Sequence, residues 1–174
     1  MLPHLLSSTP FQEVNDFLRQ LLASQKALLK EHLVGLYLGG SLALRAFNLD
    51  WSDIDFLAVT FEELPPEVVL GLRNMHAQLY ATDSKWAKKL DGSYVPRKIL
   101  RHWAADHPPC PFVEGDLFQV TNQGSAVIQR HIIREHGVTA LGPDPHELID
   151  PVSWDEMRSA LREMAETWWR PELD

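Results

Sequence analysis

The stretch LVGLYLGGSLALRAFNLDWSDIDFLAV, from Leu33 to Val59, decides the fold of this 174-residue chain. It opens with an apolar run, residues 33–38, that has the length of a buried strand and stops at Gly39, Gly40 and Ser41. We therefore expect a strand over residues 33–38, followed by a tight turn and then by a short helix.

The glycine–serine turn can hold a phosphate group. Glycines let the backbone approach an anion closely, and the hydroxyl of Ser41 can donate to a phosphate oxygen. The N-terminus of the helix that follows also favours negative charge. We expect a nucleotide triphosphate at Gly40 and Ser41, although a Gly-Gly-Ser sequence on its own is often no more than a turn.

Two aspartates stand two residues apart in the second predicted strand, residues 53–60. Because side chains alternate along a strand, Asp53 and Asp55 lie on one face while Ile54 and Phe56 lie on the other. Two close carboxylates repel each other unless a cation neutralises them, and Mg²⁺ prefers such oxygen ligands together with nucleotide phosphates. The pair predicts a magnesium site. The alternative for an isolated Ser-Asp-x-Asp is a helix cap or a solvated strand end.

Together, the strand, turn, short helix and Asp-x-Asp strand resemble the polymerase-beta-like nucleotidyltransferase superfamily. From Val34 to about Trp169 the chain is similar to the N-terminal domain of the aminoglycoside adenylyltransferases that inactivate streptomycin and spectinomycin. A second matching segment, HIIREHGVTALGPDP, covers residues 131–145. The resemblance implies an α+β fold in which helices flank a mixed β-sheet. It also implies AMP transfer from ATP to a small-molecule hydroxyl, such as that of a cationic aminoglycoside, with two Mg²⁺ ions and with Ser52 among the nucleotide-binding residues.

The resemblance further implies a third carboxylate, usually a glutamate, on a strand about one helix beyond the Asp-x-Asp pair. Asp91, in the segment LDGSYVP, is the best match, and it would complete the metal site or accept the proton of the acceptor hydroxyl. Aspartate is one methylene shorter than the expected glutamate. Asp91 can also be a turn residue before Gly92. Poorer candidates for the third carboxylate are Glu62, Glu63 and Asp83.

Composition is compatible with a cytoplasmic enzyme. The net charge of −8 argues against a general nucleic-acid binder and suits a polycationic acceptor, although acidic composition also serves solubility. No apolar run approaches the roughly 20 residues of a membrane span, no signal peptide is recognisable, and the single Cys110 excludes an intrachain disulfide. We expect a cytoplasmic protein with no membrane partner.

The rest of the chain completes one nucleotidyltransferase domain, residues 1–174, with an N-terminal helix over 11–32 and a catalytic core over 33–145. We predict a helix after Pro65-Pro66, a helix over 124–135, a strand over 138–141 and a last helix over 153–170 that begins with a capping box, Ser153 and Glu156. Residues 106–123 have no clear assignment. Basic residues between positions 85 and 101 are a solvated face or lie beside the triphosphate.

The last predicted helix carries an apolar stripe made of Trp154, Met157, Leu161, Met164 and Trp168. Packing in the domain core is the simpler explanation. The resembled enzymes continue into a C-terminal helical domain that helps hold the aminoglycoside, and we expect that domain to be absent here. A truncated chain and a homodimer through the C-terminal helix that completes the acceptor site both remain open. So do transfer to a protein or RNA hydroxyl and nucleotide binding without catalysis.

Overall fold

The computed structural model describes residues 9–101, 107–122 and 126–169, which form a six-stranded sheet flanked by eight helices. The helices are α1 (Gln12–Leu29), α2 (Gly40–Ala43), α3 (Pro66–Tyr80), α4 (Lys85–Lys88), α5 (Arg97–Arg101), α6 (Ala126–His136), α7 (Pro145–Leu148) and α8 (Trp154–Met164). The strands are β1 (Leu33–Leu38), β2 (Ile54–Thr60), β3 (Leu90–Pro96), β4 (Cys110–Glu114), β5 (Leu117–Thr121) and β6 (Val138–Leu141). None of these helices is long and apolar enough to cross a membrane.

The sheet is mixed, with the strand order β5-β4-β3-β2-β1-β6. The β2–β3 pair is parallel, whereas the other neighbouring strands run antiparallel. A parallel pair needs a crossover, and α3 and α4 supply it between β2 and β3. The α+β architecture expected from the sequence is confirmed.

Side-chain alternation divides the core between the two faces of the sheet. Phe56 and Tyr94 face a cluster that also contains the buried side of α1, such as Leu18. Leu57 and Val95 face a second cluster that contains Ile133 of α6. The central strands are therefore covered on both faces, which explains why they read as continuous apolar runs.

Most predicted elements are present, with small changes at their ends. β1 has the predicted bounds, β2 begins at Ile54, and α1 ends at Leu29 before a 3₁₀ turn, Lys30–His32. The helix after the glycine–serine turn lasts only four residues, because Arg45 follows it with a left-handed backbone (φ 56°). Residues 124 and 125 of the predicted sixth helix lie outside the described residues.

The unassigned segment 106–123 contains a β-hairpin, β4–β5, in the part that the structure describes. Its turn contains Gly115, whose φ of 56° suits glycine. Residues 106 and 123 are not among those described.

Helix α8 differs from the expectation for its apolar stripe. The capping box between Ser153 and Glu156 is present, and the helix continues in a wider π turn, Ala165–Trp169. No α8 residue is buried, and Trp154 and Leu161 are 78% and 44% exposed. Core packing is thus wrong for these two residues. The side chain of Trp168 lies outside the described part, as does the last residue of the predicted helix, position 170.

Candidate active site

One edge of the sheet gathers most of the residues that the sequence singled out. β1 ends at this edge, β2 and β3 begin there, and β4 ends there, because β1 and β4 run opposite to the parallel pair. We call it the carboxylate edge: the Gly39–Ser41 turn, Asp53, Asp55, Asp91 and Glu114. Glu62 and Glu63 follow the far end of β2, and Asp83 precedes α4, so none of these three belongs to it.

Asp55 and Asp91 are direct neighbours across the parallel β2–β3 pair. Both are partly buried, whereas Asp53, just before β2, is exposed. Asp91 also lies opposite Glu114 in the antiparallel β3–β4 pair. Asp91 is therefore a strand residue rather than a turn residue, and the fold brings it to the Asp-x-Asp pair.

Burial and the neighbouring carboxylates raise the pKa values of Asp55 and Asp91. Burial, followed by the charge of Asp53, raises the pKa of Asp55 from 3.8 to about 6. Burial, followed by the charges of Asp55, Glu114 and Asp53, raises the pKa of Asp91 from 3.8 to about 7. Each shift reports an unfavourable charged form, so a cation at this edge would be stabilised.

The glycine turn is fitted against one of these carboxylates. The backbone N–H of Gly39 donates to the carbonyl oxygen of Asp55 at 3.0 Å. Gly40 has a φ of 48°, and a Cβ atom there would overlap the Asp55 carboxylate. Only glycine suits position 40, both for its backbone conformation and for the space.

Two serines flank the edge in different states. The Ser41 hydroxyl oxygen is buried and has no hydrogen-bond partner among the described residues. Ser52 is part of a turn, because its Oγ accepts the Asn48 N–H at 3.0 Å and its own N–H donates to the Asn48 carbonyl at 2.9 Å. An unpaired buried hydroxyl costs free energy, so Ser41 is the better fitted of the two to meet a ligand.

The donor set fits Mg²⁺ when phosphate oxygens share the coordination. Within the described ranges, no group of three or more His, Cys, Asp or Glu residues is arranged to hold a metal by itself. Mg²⁺ commonly takes only one or two carboxylates and completes its shell with substrate phosphates and water. The crowded Asp55 and Asp91, together with the unpartnered Ser41, match that pattern.

Glu114 is the residue of this edge that sequence reasoning missed. It ends β4 just before the turn at Gly115 and Asp116, and only the strand register places it opposite Asp91. The Glu-Gly-Asp sequence signals a turn, but it does not say which strand lies alongside.

Most of the basic window around β3 is used by the fold. Lys85 pairs with Glu13 at 3.2 Å, and the Lys89 ammonium donates to the Asp50 carbonyl at 2.6 Å. Arg97 lies over the Phe61 ring at 3.8 Å, and Arg101 pairs with Asp150 at 3.3 Å. These four side chains are therefore engaged in contacts within the domain.

Comparisons with known proteins point to the same fold. No family model matches the chain, and no curated protein matches it significantly. Among solved structures, it is similar to spectinomycin adenyltransferase AAD(9) from Enterococcus faecialis, solved with ATP and spectinomycin. The two share 19% identity and a TM-score of 0.68 over 87% of this chain and 65% of that one. The chain thus spans slightly less than two thirds of that structure.

Weaker likenesses are to a toxin–antitoxin structure with AMP-PNP and to a mutant of the toxin–antitoxin MntA-HpeT. Both share 12% identity over 88% of this chain and 94% of the other, with TM-scores of 0.42 and 0.39, and they carry no argument. The likeness to AAD(9) confirms the polymerase-beta-like nucleotidyltransferase fold expected from the sequence.

Proposed function

We propose that this chain is a Mg²⁺-dependent nucleotidyltransferase that moves AMP from ATP to a hydroxyl group of a small molecule. The observation that carries the proposal is the direct pairing of Asp55 with Asp91 beside the Gly40 turn. That pairing places the carboxylates beside the glycine–serine turn at one edge of the sheet.

Asp53 and Asp55 would hold the magnesium, and Asp91 would complete the metal site or take the proton of the acceptor. Bound there, Mg²⁺ would neutralise phosphate charge and orient the triphosphate. Gly40 lets the turn pack directly against the Asp55 carboxylate, and the Ser41 hydroxyl, which lacks a partner among the described residues, would donate to a phosphate oxygen.

Asp91 is proposed to take the proton of the acceptor. Its pKa of about 7 lies near the working pH of a cytoplasmic enzyme, which suits a general base. The acceptor oxygen forms a bond to the α-phosphorus, the bond from that phosphorus to the pyrophosphate oxygen breaks, and the hydroxyl proton passes to Asp91. The products are the AMP ester of the acceptor and pyrophosphate.

The acceptor is proposed to be a cationic, hydroxyl-bearing small molecule such as an aminoglycoside. Glu114 adds a fourth carboxylate to the edge, and the chain has a net charge of −8, so a cation would be attracted and nucleic acid repelled. The structure of AAD(9) with spectinomycin lends support by analogy of fold.

A second copy of the chain is proposed to cover α8. Trp154 and Leu161 form an exposed apolar surface on that helix. Burying such a surface between two copies would remove it from water. A partner copy could then complete the acceptor site.

The test is transfer of label from α-labelled ATP, with Mg²⁺, to a panel that includes streptomycin and spectinomycin. Asp53→Asn and Asp55→Asn remove a ligand charge each, and we expect at least a roughly 10³-fold loss of transfer. The matched control is Asp116→Asn, an exposed carboxylate in the adjacent hairpin turn, which should stay active.

The outcomes separate the candidate functions. Label on a drug that disappears in Asp53→Asn but persists in Asp116→Asn supports the proposal. Label on a macromolecule would favour transfer to a protein or RNA hydroxyl. Binding of ATP with no labelled product would indicate a nucleotide-binding module. Full transfer by Asp53→Asn would overturn the site assignment.

A further inference from the structure

Trp51 is an exposed aromatic residue beside the carboxylate edge. It lies two residues before Asp53, in the loop between α2 and β2, and its side chain is 85% exposed. Two apolar neighbours in the same loop, Phe47 and Leu49, pack against the core. The loop therefore has its own apolar anchors, and the large indole ring of Trp51 is not one of them.

The loop that carries Trp51 is fixed by hydrogen bonds on both sides of it. The N–H of Ser52 donates to the Asn48 carbonyl at 2.9 Å, and the N–H of Asp50 donates to Asn48 Oδ1 at 2.9 Å. From outside the loop, the Lys89 ammonium donates to the Asp50 carbonyl at 2.6 Å. These bonds flank Trp51 and hold its backbone in place, so its indole is presented to solvent from a defined position.

We infer that Trp51 provides the stacking surface for the nucleobase of the bound nucleotide. This inference rests on the proposed function, since it needs the α-phosphate at Asp53 and Asp55. The Cα atoms of Trp51 and Asp53 are separated by at most about 7 Å. The nucleoside extends from the α-phosphate, so its base lies within reach of the indole.

Chemistry favours the nucleobase over the acceptor as the occupant. Flat indole and purine rings stack, and such stacking tolerates any base because every base has an aromatic face. The ammonium of Lys89 lies against the residue before Trp51, where it can also attract the phosphates of an anionic nucleotide.

The test compares ligands with and without a base. Binding of Mg²⁺-ATP and of Mg²⁺-tripolyphosphate is measured by calorimetry and by tryptophan fluorescence for the wild type, Trp51→Ala and Trp51→Phe. The matched control is Trp154→Phe, because Trp154 is similarly exposed, at 78%, on α8. Thermal melting monitors folding of every variant.

We expect ATP, but not tripolyphosphate, to quench the emission of Trp51. Trp51→Ala should weaken ATP binding about tenfold and leave tripolyphosphate binding unchanged, whereas Trp51→Phe should bind ATP nearly as well as the wild type. Trp154→Phe should retain both the affinity and the quenching.

Unchanged ATP affinity in Trp51→Ala would overturn this inference and leave the proposed function standing. Equal weakening of ATP and tripolyphosphate binding in Trp51→Ala would overturn it as well, because the indole would then act on the phosphates rather than on the base. If the wild type binds neither ATP nor tripolyphosphate, the proposed function fails, and the inference fails with it.

Discussion

The carboxylate edge and helix α8 differ in the kind of surface that they leave unpaired: crowded negative charge at the edge and exposed apolar side chains on α8. At the edge, Asp55 and Asp91 are pressed together on neighbouring strands, and burial and mutual repulsion raise both pKa values. On α8, no side chain is buried, and Trp154 stands in solvent. The edge needs positive charge, whereas α8 needs an apolar cover. The comparison teaches that the proposed transfer chemistry needs only residues of one copy, whereas covering the apolar surface would need another molecule.

A buried polar network lies behind the strands of the edge. The Tyr94 hydroxyl accepts a hydrogen bond from Gln25 Nε2 at 2.9 Å and lies 2.7 Å from His76 Nε2. Burial lowers the pKa of His76 to about 4, so this ring is neutral at pH 7 and can accept a hydrogen bond from the Tyr94 hydroxyl. Tyr94 is fully buried and lies three residues after Asp91.

Among substitutions that leave the carboxylates themselves in place, the largest effect should come from Gly40→Ala at the edge. A methyl group at position 40 would overlap the Asp55 carboxylate in a left-handed turn. Displacement of that carboxylate should lower transfer about a hundredfold, in line with the cost of a misplacement of about 1 Å. The measurement is kcat/KM for ATP.

The control for that substitution is Gly115→Ala. Gly115 also has a left-handed backbone, at φ 56°, but a Cβ atom there would meet only ordinary contacts. Equal losses in the two variants would attribute the effect to backbone strain alone. A smaller loss of kcat/KM in Gly115→Ala would indicate that the overlap with the Asp55 carboxylate, rather than backbone strain, causes the loss in Gly40→Ala.

Tyr94→Phe tests the support behind the edge. Removing the hydroxyl leaves the buried Gln25 and His76 without this partner, so the free energy of unfolding should fall by about 1 to 3 kcal/mol. Denaturant unfolding measures it, with Tyr80→Phe, a half-buried tyrosine at the end of α3, as the control. An unchanged free energy of unfolding would show that these hydrogen bonds do not stabilise the fold.

Mg²⁺ should stabilise the chain more at pH 8 than at pH 5. The pKa values of Asp55 and Asp91, about 6 and about 7, lie above the ordinary 3.8, so the folded chain binds extra protons between about pH 4 and 7. Their contribution to stability is therefore lost as pH rises through that window. At pH 8 both carboxylates are charged, and a cation relieves their repulsion.

At ten times its dissociation constant, Mg²⁺ should add about 1.4 kcal/mol, or about 3 to 6 °C in Tm, at pH 8. Thermal melting with and without Mg²⁺ measures this, and the double variant Asp55→Asn/Asp91→Asn serves as the control. His76 works in the opposite direction below pH 6.5, because its lowered pKa makes the folded chain bind fewer protons there. Equal Mg²⁺ shifts at pH 5 and 8 would contradict the assignment of the carboxylates.

The smallest effect on stability should come from α8. Replacing Trp154 and Leu161 with serine should change the free energy of unfolding by less than about 0.5 kcal/mol, because both are exposed. Sedimentation should show a loss of dimer in the same variant. Ile133→Ser, at a fully buried position of α6, is the control for folding and should cost about 3 kcal/mol or more. A wild type that is monomeric at every concentration would remove the proposed partner copy.

The sequence predicts the parts of the site that depend on local pattern. β1 is an unbroken apolar run that stops at glycine, so its bounds follow from the residues alone. Asp55 alternates with buried neighbours along β2, and that period places it on the same face as Asp53. The placement of Asp91 required the family resemblance, because the spacing between two strands does not reveal that they pair.

What could not be predicted depends on contacts between distant segments. Glu114 faces Asp91 only through the β3–β4 register. α2 stops early because Arg45 adopts a left-handed backbone that no local pattern announces. The apolar stripe of α8 reads like a core-facing helix, but a stripe does not say whether its partner surface belongs to the same chain.

The parallel pairing of β2 with β3 also determines when the site exists. Asp55 and Asp91 become neighbours only after the whole crossover through α3 and α4 has closed, a non-local step that is slow to form. A cation that relieves their repulsion stabilises the native pairing. Where the pairing closes after the folding transition state, that cation slows unfolding and leaves the folding rate nearly unchanged. Divalent ions would then set the lifetime of the folded chain rather than the speed at which it forms.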